Sequence, residues 1–285
     1  MNIIDLFQQN SGTFYTFVVL VGLSIGSFLN VVIYRFPLML ENDWKSQCRE
    51  LLELKESSTE PAITLSTPAS TCPQCGHKIR AWENIPLLSY IFLKGKCSQC
   101  QTHISVQYPL IELLTGVLSL AVAIKFGVSW QTLFALILTW SLVAMSVIDI
   151  HKQILPDDIT LPVLWLGLLL SIFTVYIDPV NSIIGAITGY MILWSVYQLF
   201  KHITGKEGMG YGDFKLLALF GAWFGWKFIP LIIILSSASG AIIGITMMVF
   251  NKHERSTPIP FGPYLAIAGW IAMMWGEQII HWYLG

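Results

Sequence analysis

The sequence has little charge. Only 12% of its 285 residues are Asp, Glu, Lys or Arg, about half of the share that soluble domains carry. Hydrophobic residues make up 54% of the chain, and its mean hydropathy is +0.64. These values exclude an ordinary soluble enzyme and indicate a polytopic membrane protein surrounded by lipid. The net charge of -1 supplies no basic surface for nucleic acid, so we expect no nucleic-acid partner.

Basic residues are missing from the beginning of the chain, where no Lys or Arg precedes Arg35. A secretory signal peptide begins with a basic region, so we expect no cleavable signal and an N-terminus outside the membrane. When the N-terminus is outside and eight apolar runs span the membrane, 14 of the 16 Lys and Arg residues lie in loops on the inner side. Only Lys125 and Lys227 lie in loops on the outer side. This positive-inside bias predicts a cytoplasmic location for the polar segment 36–105. The eight runs are 13–34, 106–124, 131–148, 159–177, 180–200, 214–226, 228–250 and 261–283.

Several catalytic signatures are also missing. His253-Glu254-Arg255-Ser256-Thr257 lacks the second His of a zinc protease helix, and no G-x-G-x-x-G follows a strand. Gly22-Leu23-Ser24-Ile25-Gly26 matches G-x-S-x-G, but it lies inside an apolar run and not between a strand and a helix. Its two glycines, four residues apart, instead predict close packing between membrane helices.

Four of the five cysteines form two C-x-x-C pairs with 21 residues between the pairs. Each pair can present two thiolates from one turn, and together they complete a closed, structural zinc site. A redox pair or two disulfides are the alternatives, but stable disulfides are rare in the cytoplasm. Cys48 stands apart as an ordinary thiol. The predicted metal ligands are Cys72, Cys75, Cys97 and Cys100.

Two acids are predicted to meet at the cytoplasmic ends of membrane helices. Asp213 follows three alternating glycines in Gly208–Asp213, and Asp149 closes the third apolar run. An intramembrane carboxylate is costly unless it has a function. Two carboxylates that share a proton can activate water and polarise a carbonyl, which is aspartyl protease chemistry without a catalytic metal. Asp157 and Asp158 are rivals for the partner role, but they follow Pro156 and are expected to cap the next helix.

These expectations define an all-α polytopic membrane protein of about eight transmembrane helices with a small cytoplasmic zinc-binding loop domain. The predicted divisions are a first transmembrane helix at 1–35, a cytoplasmic loop domain at 36–105 and a transmembrane aspartyl protease bundle at 106–285. Within the loop domain, a charged helical piece is expected from Glu41 to Glu56 and a Ser/Thr/Pro-rich linker from Ser57 to Ser70.

The motifs together resemble the type IV prepilin peptidases, bifunctional membrane aspartyl proteases and N-methyltransferases of the GxGD kind. The resemblance covers nearly the whole chain. It is carried by Gly26–Arg35, the four-cysteine loop with Asn84-Ile85-Pro86, Ile148-Asp149, Leu155-Pro156-Asp157, Gly208–Lys215 and Pro260-Phe261-Gly262-Pro263-Tyr264.

The resemblance implies that Asp149 and Asp213 are the catalytic pair in a bacterial inner membrane. It implies cleavage of a basic leader from type IV prepilin or pseudopilin precursors at the cytoplasmic face. It also implies methylation of the new N-terminus, usually Phe, with S-adenosylmethionine as donor. Glu83, Asn84 and Gly95 are the residues we expect at the methyl-donor site. The alternatives are a proton-coupled transporter, with acids near the bilayer midplane, and a non-enzymatic pilus or secretion assembly factor.

Overall fold

A computed structural model describes residues 3–54, 63–251 and 260–284. These residues fold into helices, and the paired extended segments among them are two isolated bridges, Thr71 with Lys78 and Lys96 with His103. Residues 57–62 of the expected linker and the segment His253–Thr257 lie outside the described part. The helices are α1 (Ile3–Gln9), α2 (Ser11–Leu51), α3 (Leu88–Phe92), α4 (Gln107–Phe126), α5 (Trp130–Lys152), α6 (Asp157–Ile172), α7 (Pro179–Thr204), α8 (Tyr211–Phe224), α9 (Ile229–Asn251) and α10 (Gly262–Leu284).

The chain divides into two compact units, Met1–Val128 and Ser129–Gly285. The first unit contains α1 to α4 and the cysteine loop. The second contains α5 to α10 and both aspartates of the predicted pair. The three-part division at residues 35 and 105 stays a prediction.

The first apolar run and the charged piece after it form one helix, α2, of 41 residues. Asn10 begins this helix because its side chain accepts a hydrogen bond from the Thr13 amide, at 3.2 Å. At about 1.5 Å per residue, α2 is roughly 60 Å long, twice the roughly 30 Å thickness of a bilayer core. Its second half therefore has the length to extend beyond the membrane as the expected charged helical piece, which ends at Leu51.

Glycines allow α2 and α4 to pack closely, as the spacing of Gly22 and Gly26 predicted. A methyl group added at Gly22 would lie 2.6 Å from Ser119 Oγ. One added at Gly26 would lie 2.7 Å from the Glu112 Cα. The G-x-S-x-G pattern therefore lies within a packed helix, where the sharp turn that exposes a nucleophilic serine does not exist.

Helix α8 forms the core of the second unit, and every residue from Leu216 to Phe224 is buried. It contacts α7 at a glycine pair, where a Cβ on Gly185 would collide with the Gly221 carbonyl oxygen. On its other side, Trp223 Nε1 donates to the Val163 carbonyl of α6 at 2.8 Å. This packing surrounds a short helix with longer ones and places its first turn, with Asp213, at one end of the bundle.

Five segments among the described residues combine the length and hydropathy of a membrane span, which supports the polytopic membrane fold. They are α2, α4, α5, α7 and Trp226–Thr246. The count of eight stays a prediction, because α6 and α8 have only 16 and 14 residues. At about 1.5 Å per residue, α8 covers roughly 21 Å, less than a bilayer core. The run 159–177 also gives a shorter helix than expected, since α6 ends at Ile172 and Thr174 has a φ of 49°.

Candidate active site and metal centre

Asp213 lies in the first turn of α8. Gly205, with a φ of 69°, ends α7, and α8 begins after Gly210. The Asp213 amide donates to the Gly210 carbonyl at 3.2 Å, and the residue is only 7% exposed. A negative charge at this end of a helix is favoured by the helix dipole. The backbone therefore holds the carboxylate in the interior of the second unit.

Asp149 lies in the last turn of α5 and is 5% exposed. Gln153 ends the helix in the left-handed conformation, and its amide donates to the Asp149 carbonyl at 2.8 Å. The Asp149 carboxylate accepts a hydrogen bond at 3.0 Å from the amide of Gly262, the first residue of α10. Two helix ends thus fix the orientation of this side chain.

The structure brings the two aspartates together. Their carboxylates interact electrostatically, and Leu155 packs against the glycines beside both. A methyl group on Gly262 would lie 2.7 Å from Asp149 Oδ2 and 3.0 Å from the Leu155 side chain. A methyl group on Gly212 would lie 2.7 Å from the Leu155 Cβ. The acids from α5 and α8 therefore share one buried space near the first turn of α10.

The glycines before Asp213 do not all leave open space. A methyl group on Gly208 would lie 2.7 Å from the Phe200 ring, and Gly212 packs against Leu155. A methyl group on Gly210, by contrast, would meet the Asp213 carboxylate at 3.8 Å, an ordinary contact distance. Glycines at alternate positions before Asp213 predict room for the close approach of an extended peptide. In the structure, two of them make room for side chains of the protein itself.

The acids that start α6 have a different role from the expected caps. The residue before the helix is Pro156, and Asp157 and Asp158 occupy the first turn, where the helix dipole favours acids. Asp157 binds Lys215 through both carboxylate oxygens, at 2.6 and 2.7 Å from Nζ. This ion pair joins the first turn of α6 to the fifth residue of α8, two residues after Asp213. The sequence analysis missed it because the partners are 58 residues apart.

The four cysteine sulfurs lie within 4.8 Å of one another. Cys72 Sγ is 3.7 Å from Cys100 Sγ, and Cys75 Sγ is 4.0 Å from Cys97 Sγ. Zinc–sulfur bonds of about 2.3 Å in a tetrahedron require sulfur separations of about 3.8 Å. Hydrogen bonds with Thr102 lower the pKa of the Cys100 thiol to about 6. A hydrogen bond from the His77 backbone lowers the pKa of Cys75, but burial and the neighbouring thiols outweigh it and raise that pKa to about 12. The cluster therefore fits a four-thiolate metal ion.

The two C-x-x-C turns have the same construction. In the first, the Cys72 amide donates to the His77 carbonyl at 2.9 Å, and Gly76 has a φ of 70°. In the second, the Cys97 amide donates to the Thr102 carbonyl at 2.8 Å, and Gln101 has a φ of 59°. Two matching turns facing each other are typical of a structural zinc site.

Two family models and curated relatives match this chain. The model of the type IV leader peptidase family matches residues 136–245, and that of the bacterial peptidase A24 N-terminal domain matches residues 20–126. The prepilin leader peptidase/N-methyltransferase of Stutzerimonas stutzeri is 54% identical over 284 residues, which cover 100% of this chain and 98% of that protein. The chain belongs to the type IV leader peptidase family. A protein with the same name from Pseudomonas aeruginosa PAO1 is 52% identical over 284 residues, which cover 100% of this chain and 98% of that protein. Another, from Aeromonas hydrophila, is 53% identical over 272 residues, which cover 95% of this chain and 94% of that protein. No solved structure matches.

The three residues expected at the methyl-donor site differ from one another in their surroundings. The Glu83 carboxylate accepts hydrogen bonds from the Arg80 amide at 2.8 Å and from Ser98 Oγ at 2.6 Å, and it lies 3.0 Å from His77 Nε2. Asn84 lines a groove beside α2. Gly95, with a φ of 67°, packs against the Tyr90 ring, where a methyl group would lie 2.9 Å from it.

The hydrogen bonds of Glu83 connect the two cysteine turns, since His77 follows the first turn and Ser98 lies in the second. They also lower the pKa of Glu83 to about 2, chiefly through the Arg80 amide and then Ser98. The side chain is 5% exposed. Glu83 therefore has the geometry of an anion that holds the cysteine loop together.

The first unit also contains a buried acid, Glu112, that none of the sequence motifs predicts. Glu112 is 8% exposed in α4 and accepts a hydrogen bond from the Leu87 amide at 2.8 Å. Ser27, Asn30 and Arg35 of α2 are buried as well. Arg35 donates to the Thr64 carbonyl at 3.0 Å and so ties the loop to α2. A carboxylate inside the apolar run 106–124 was the signal that could have identified Glu112.

Proposed function

We propose that this chain cleaves the leader peptide of type IV prepilins or pseudopilins with Asp149 and Asp213 as its catalytic pair. The observation that carries this proposal is the shared buried space of two carboxylates from the ends of different helices. Similarity supports it too, because the relatives are named prepilin leader peptidase/N-methyltransferase.

The pair acts as a unit that holds one proton. The ionised carboxylate takes a proton from a water molecule, while the protonated carboxyl donates a hydrogen bond to the scissile carbonyl. The oxygen of the water adds to the carbonyl carbon, and the leaving amine receives a proton as the C–N bond breaks. Because both groups titrate together, neither aspartate has a separate role as acid or base. The Gly262 amide keeps the Asp149 carboxylate oriented toward this reaction.

The proposed location is the cytoplasmic face of a bacterial inner membrane, with the N-terminus outside and the cysteine loop inside. The support is the excess of Lys and Arg in the loops that would lie inside. A basic leader would be attracted to acids at this face, and the apolar helix of the precursor would remain in lipid. Substrate and active site would then meet at the membrane surface.

We further propose that the first unit serves the second activity, methylation of the new N-terminal amine with S-adenosylmethionine as donor. Cys72, Cys75, Cys97 and Cys100 would bind one Zn²⁺, which would supply a structural cross-link with no open coordination position. The cysteine residues and Glu83 would thereby hold the loop in one conformation over α2. A loop of this size has too few apolar residues for a core of its own, so it depends on such a cross-link.

The test is incubation of the purified full chain with a prepilin, with cleavage followed by gel mobility or mass spectrometry. We expect Asp149→Asn and Asp213→Asn each to abolish cleavage, whereas Asp158→Asn, an exposed acid in the first turn of α6, retains it. Cleavage by either active-pair variant at the normal rate would show that the assignment is wrong. Cleavage itself excludes the proton-coupled transporter and the non-enzymatic assembly factor as complete descriptions.

A further inference from the structure

An ionisable side chain inside a membrane helix marks a functional site by default, since burying a charge in lipid is costly. Glu112 of α4 is such a side chain, and the peptide cleavage described above does not use it. Its carboxylate accepts a hydrogen bond from the Leu87 amide, at 2.8 Å, and interacts electrostatically with Ser27 of α2. The acid therefore lies where α2, α4 and the segment after the first cysteine turn meet.

The surroundings of Glu112 are polar over a short part of the α2–α4 contact. Ser27 and Asn30 are 8% and 6% exposed, and Asn30 Nδ2 donates to the Tyr108 carbonyl of α4 at 3.1 Å. Gly22, about one turn nearer the N-terminus of α2, packs directly on Ser119 of α4. Buried hydroxyl groups of Thr115 and Ser119 thus continue along the contact, and the acid lies at the end nearest the loop.

A groove of about 260 Å³ opens at this place on the side of α2. Ser27 forms part of its wall and also interacts with Glu112, so a single side chain separates the acid from the groove. Phe28 is 48% exposed, which leaves this side of α2 open. The lining residues are Ser24, Ser27, Phe28, Val31, Asn84 and Pro86.

The chemistry of the groove fits the beginning of an apolar helix that carries a free amine. Phe28, Val31 and Pro86 offer an apolar wall, and Ser27 and Asn84 offer hydrogen-bond acceptors. The buried carboxyl group of Glu112 lies behind Ser27. A groove of this volume accommodates about one large residue, and S-adenosylmethionine is much larger. Four of the lining residues lie along the apolar helix α2, so a ligand anchored in lipid can reach them from the side.

We propose that this groove binds the N-terminal residue of the cleaved pilin or pseudopilin, the methyl acceptor, with Glu112 balancing the charge of its ammonium group. This inference rests on the proposed function, because it names the substrate position for the second activity. The ammonium group first loses a proton to solvent water, which leaves a neutral amine. Its lone pair then forms the N–C bond to the methyl carbon of the donor, the S–C bond breaks, and its electrons leave on a neutral thioether. The new methylammonium group remains beside Glu112.

The first test fills the groove. Ser24→Leu places a larger side chain in the groove, and Thr16→Leu makes the same kind of change at an exposed position of α2 outside it. Methyl transfer from labelled S-adenosylmethionine to a pre-cleaved acceptor is measured with the full chain in detergent or lipid. We expect Ser24→Leu to raise the KM for the acceptor by about tenfold or more, with the KM for S-adenosylmethionine unchanged. Thr16→Leu should match the wild type in both values.

The second test removes the charge. Glu112→Gln keeps a carbonyl oxygen for the Leu87 amide, and the matched control Glu50→Gln removes an exposed carboxylate elsewhere in α2. We expect a rise in acceptor KM of about tenfold for Glu112→Gln and none for Glu50→Gln. An acceptor KM that changes in neither groove variant, or a KM that rises for S-adenosylmethionine instead, would overturn the proposal. Leader cleavage by each variant is followed in parallel as a check on folding.

The acceptor is supplied already cleaved, so the outcome does not depend on the peptidase. If the wild type neither cleaves a prepilin nor methylates the pre-cleaved acceptor, the proposed function fails. If the wild type does both and Ser24→Leu and Glu112→Gln behave like it, only the groove assignment fails.

Discussion

The carboxylate of Glu83 in the first unit and those of Asp149 and Asp213 in the second are all shielded from solvent, but their partners differ. Glu83 receives an amide and a hydroxyl hydrogen bond and lies beside His77, so its negative charge is stabilised. Asp149 and Asp213 instead lie beside each other, and Asp149 accepts a hydrogen bond from the Gly262 amide. The comparison shows that partners, more than burial, distinguish an acid held as a structural anion from a pair that can share a proton.

Because of this difference, substitutions in the cysteine loop and in the aspartate pair should separate methyl transfer from leader cleavage. The largest effect is expected for Cys97→Ser, which removes a buried thiolate from the cluster. Zinc binding by such sites is worth about 10–16 kcal/mol, so zinc content should fall from about one ion per chain to nearly none. Methyl transfer should be lost and leader cleavage retained. Mass spectrometry measures the zinc content, and the methyl-transfer and leader-cleavage assays measure the two activities.

Cys48→Ser is the matched control, because Cys48 is exposed and lies outside the cluster. Wild-type protein without bound zinc would disprove the four-thiolate site.

A smaller but still large effect is expected for Gly262→Ala. The added methyl group would lie 2.7 Å from Asp149 Oδ2, so the carboxylate must move. A displacement of about 1 Å in a catalytic group costs about hundredfold in rate. We expect kcat for leader cleavage to fall by about that factor, while methylation of a pre-cleaved acceptor continues. Gly240→Ala, where the new methyl group would be 3.4 Å from Tyr264, should cleave nearly normally; equal loss in both variants would contradict the explanation.

A more moderate effect is expected for Glu83→Gln in the metal loop. Its amide nitrogen cannot accept the hydrogen bonds that one carboxylate oxygen accepts now, so the two cysteine turns lose part of their connection. Groups that support metal ligands typically contribute tenfold or more in affinity. We expect zinc transfer to a coloured chelator to become about tenfold faster, with Glu50→Gln unchanged. Release at the wild-type rate would mean that Glu83 does not hold the turns together.

The smallest effect is expected at the Asp157–Lys215 ion pair, whose side chains are 50% and 27% exposed. Exposed pairs contribute about 0–1 kcal/mol, so Lys215→Met should lower leader cleavage only a few-fold. If the pair positions the first turn of α8, the loss should appear in kcat, and the exchange of both residues, Asp157→Lys with Lys215→Asp, should recover it. A double variant less active than Lys215→Met would argue against a positioning role for the pair.

Local patterns predicted much of this molecule from the sequence. The cysteine spacing predicted the metal cluster, and the glycine spacing in α2 predicted its close contact with α4. Apolar runs located α4, α5 and α7 within a few residues, because a helix that crosses lipid must satisfy its backbone within one segment. The same reasoning did not find that α2 continues through Pro37 to Leu51, since charge changes along a helix do not by themselves end it.

Contacts between distant residues were harder to predict. The sequence predicted Glu83 at the methyl-donor site, which stays a prediction, and only its hydrogen bonds with Ser98 and Arg80 reveal a structural anion. Likewise, Gly212 is explained by Leu155, which is 57 residues away in the chain. Such contacts depend on how helices pack, and periodicity does not encode that packing.

The sequence by itself determined the membrane class, the family resemblance, the four cysteines and the two aspartates, because composition, spacing and charge are local properties. Tertiary structure decided that Asp149 and Asp213 share a buried space, that Lys215 pairs with Asp157, and that Glu112 lies next to a groove on α2. The physical reason is that carboxylates gain or lose their charge through neighbours in space. Those neighbours come from helices that the chain joins only after long intervals.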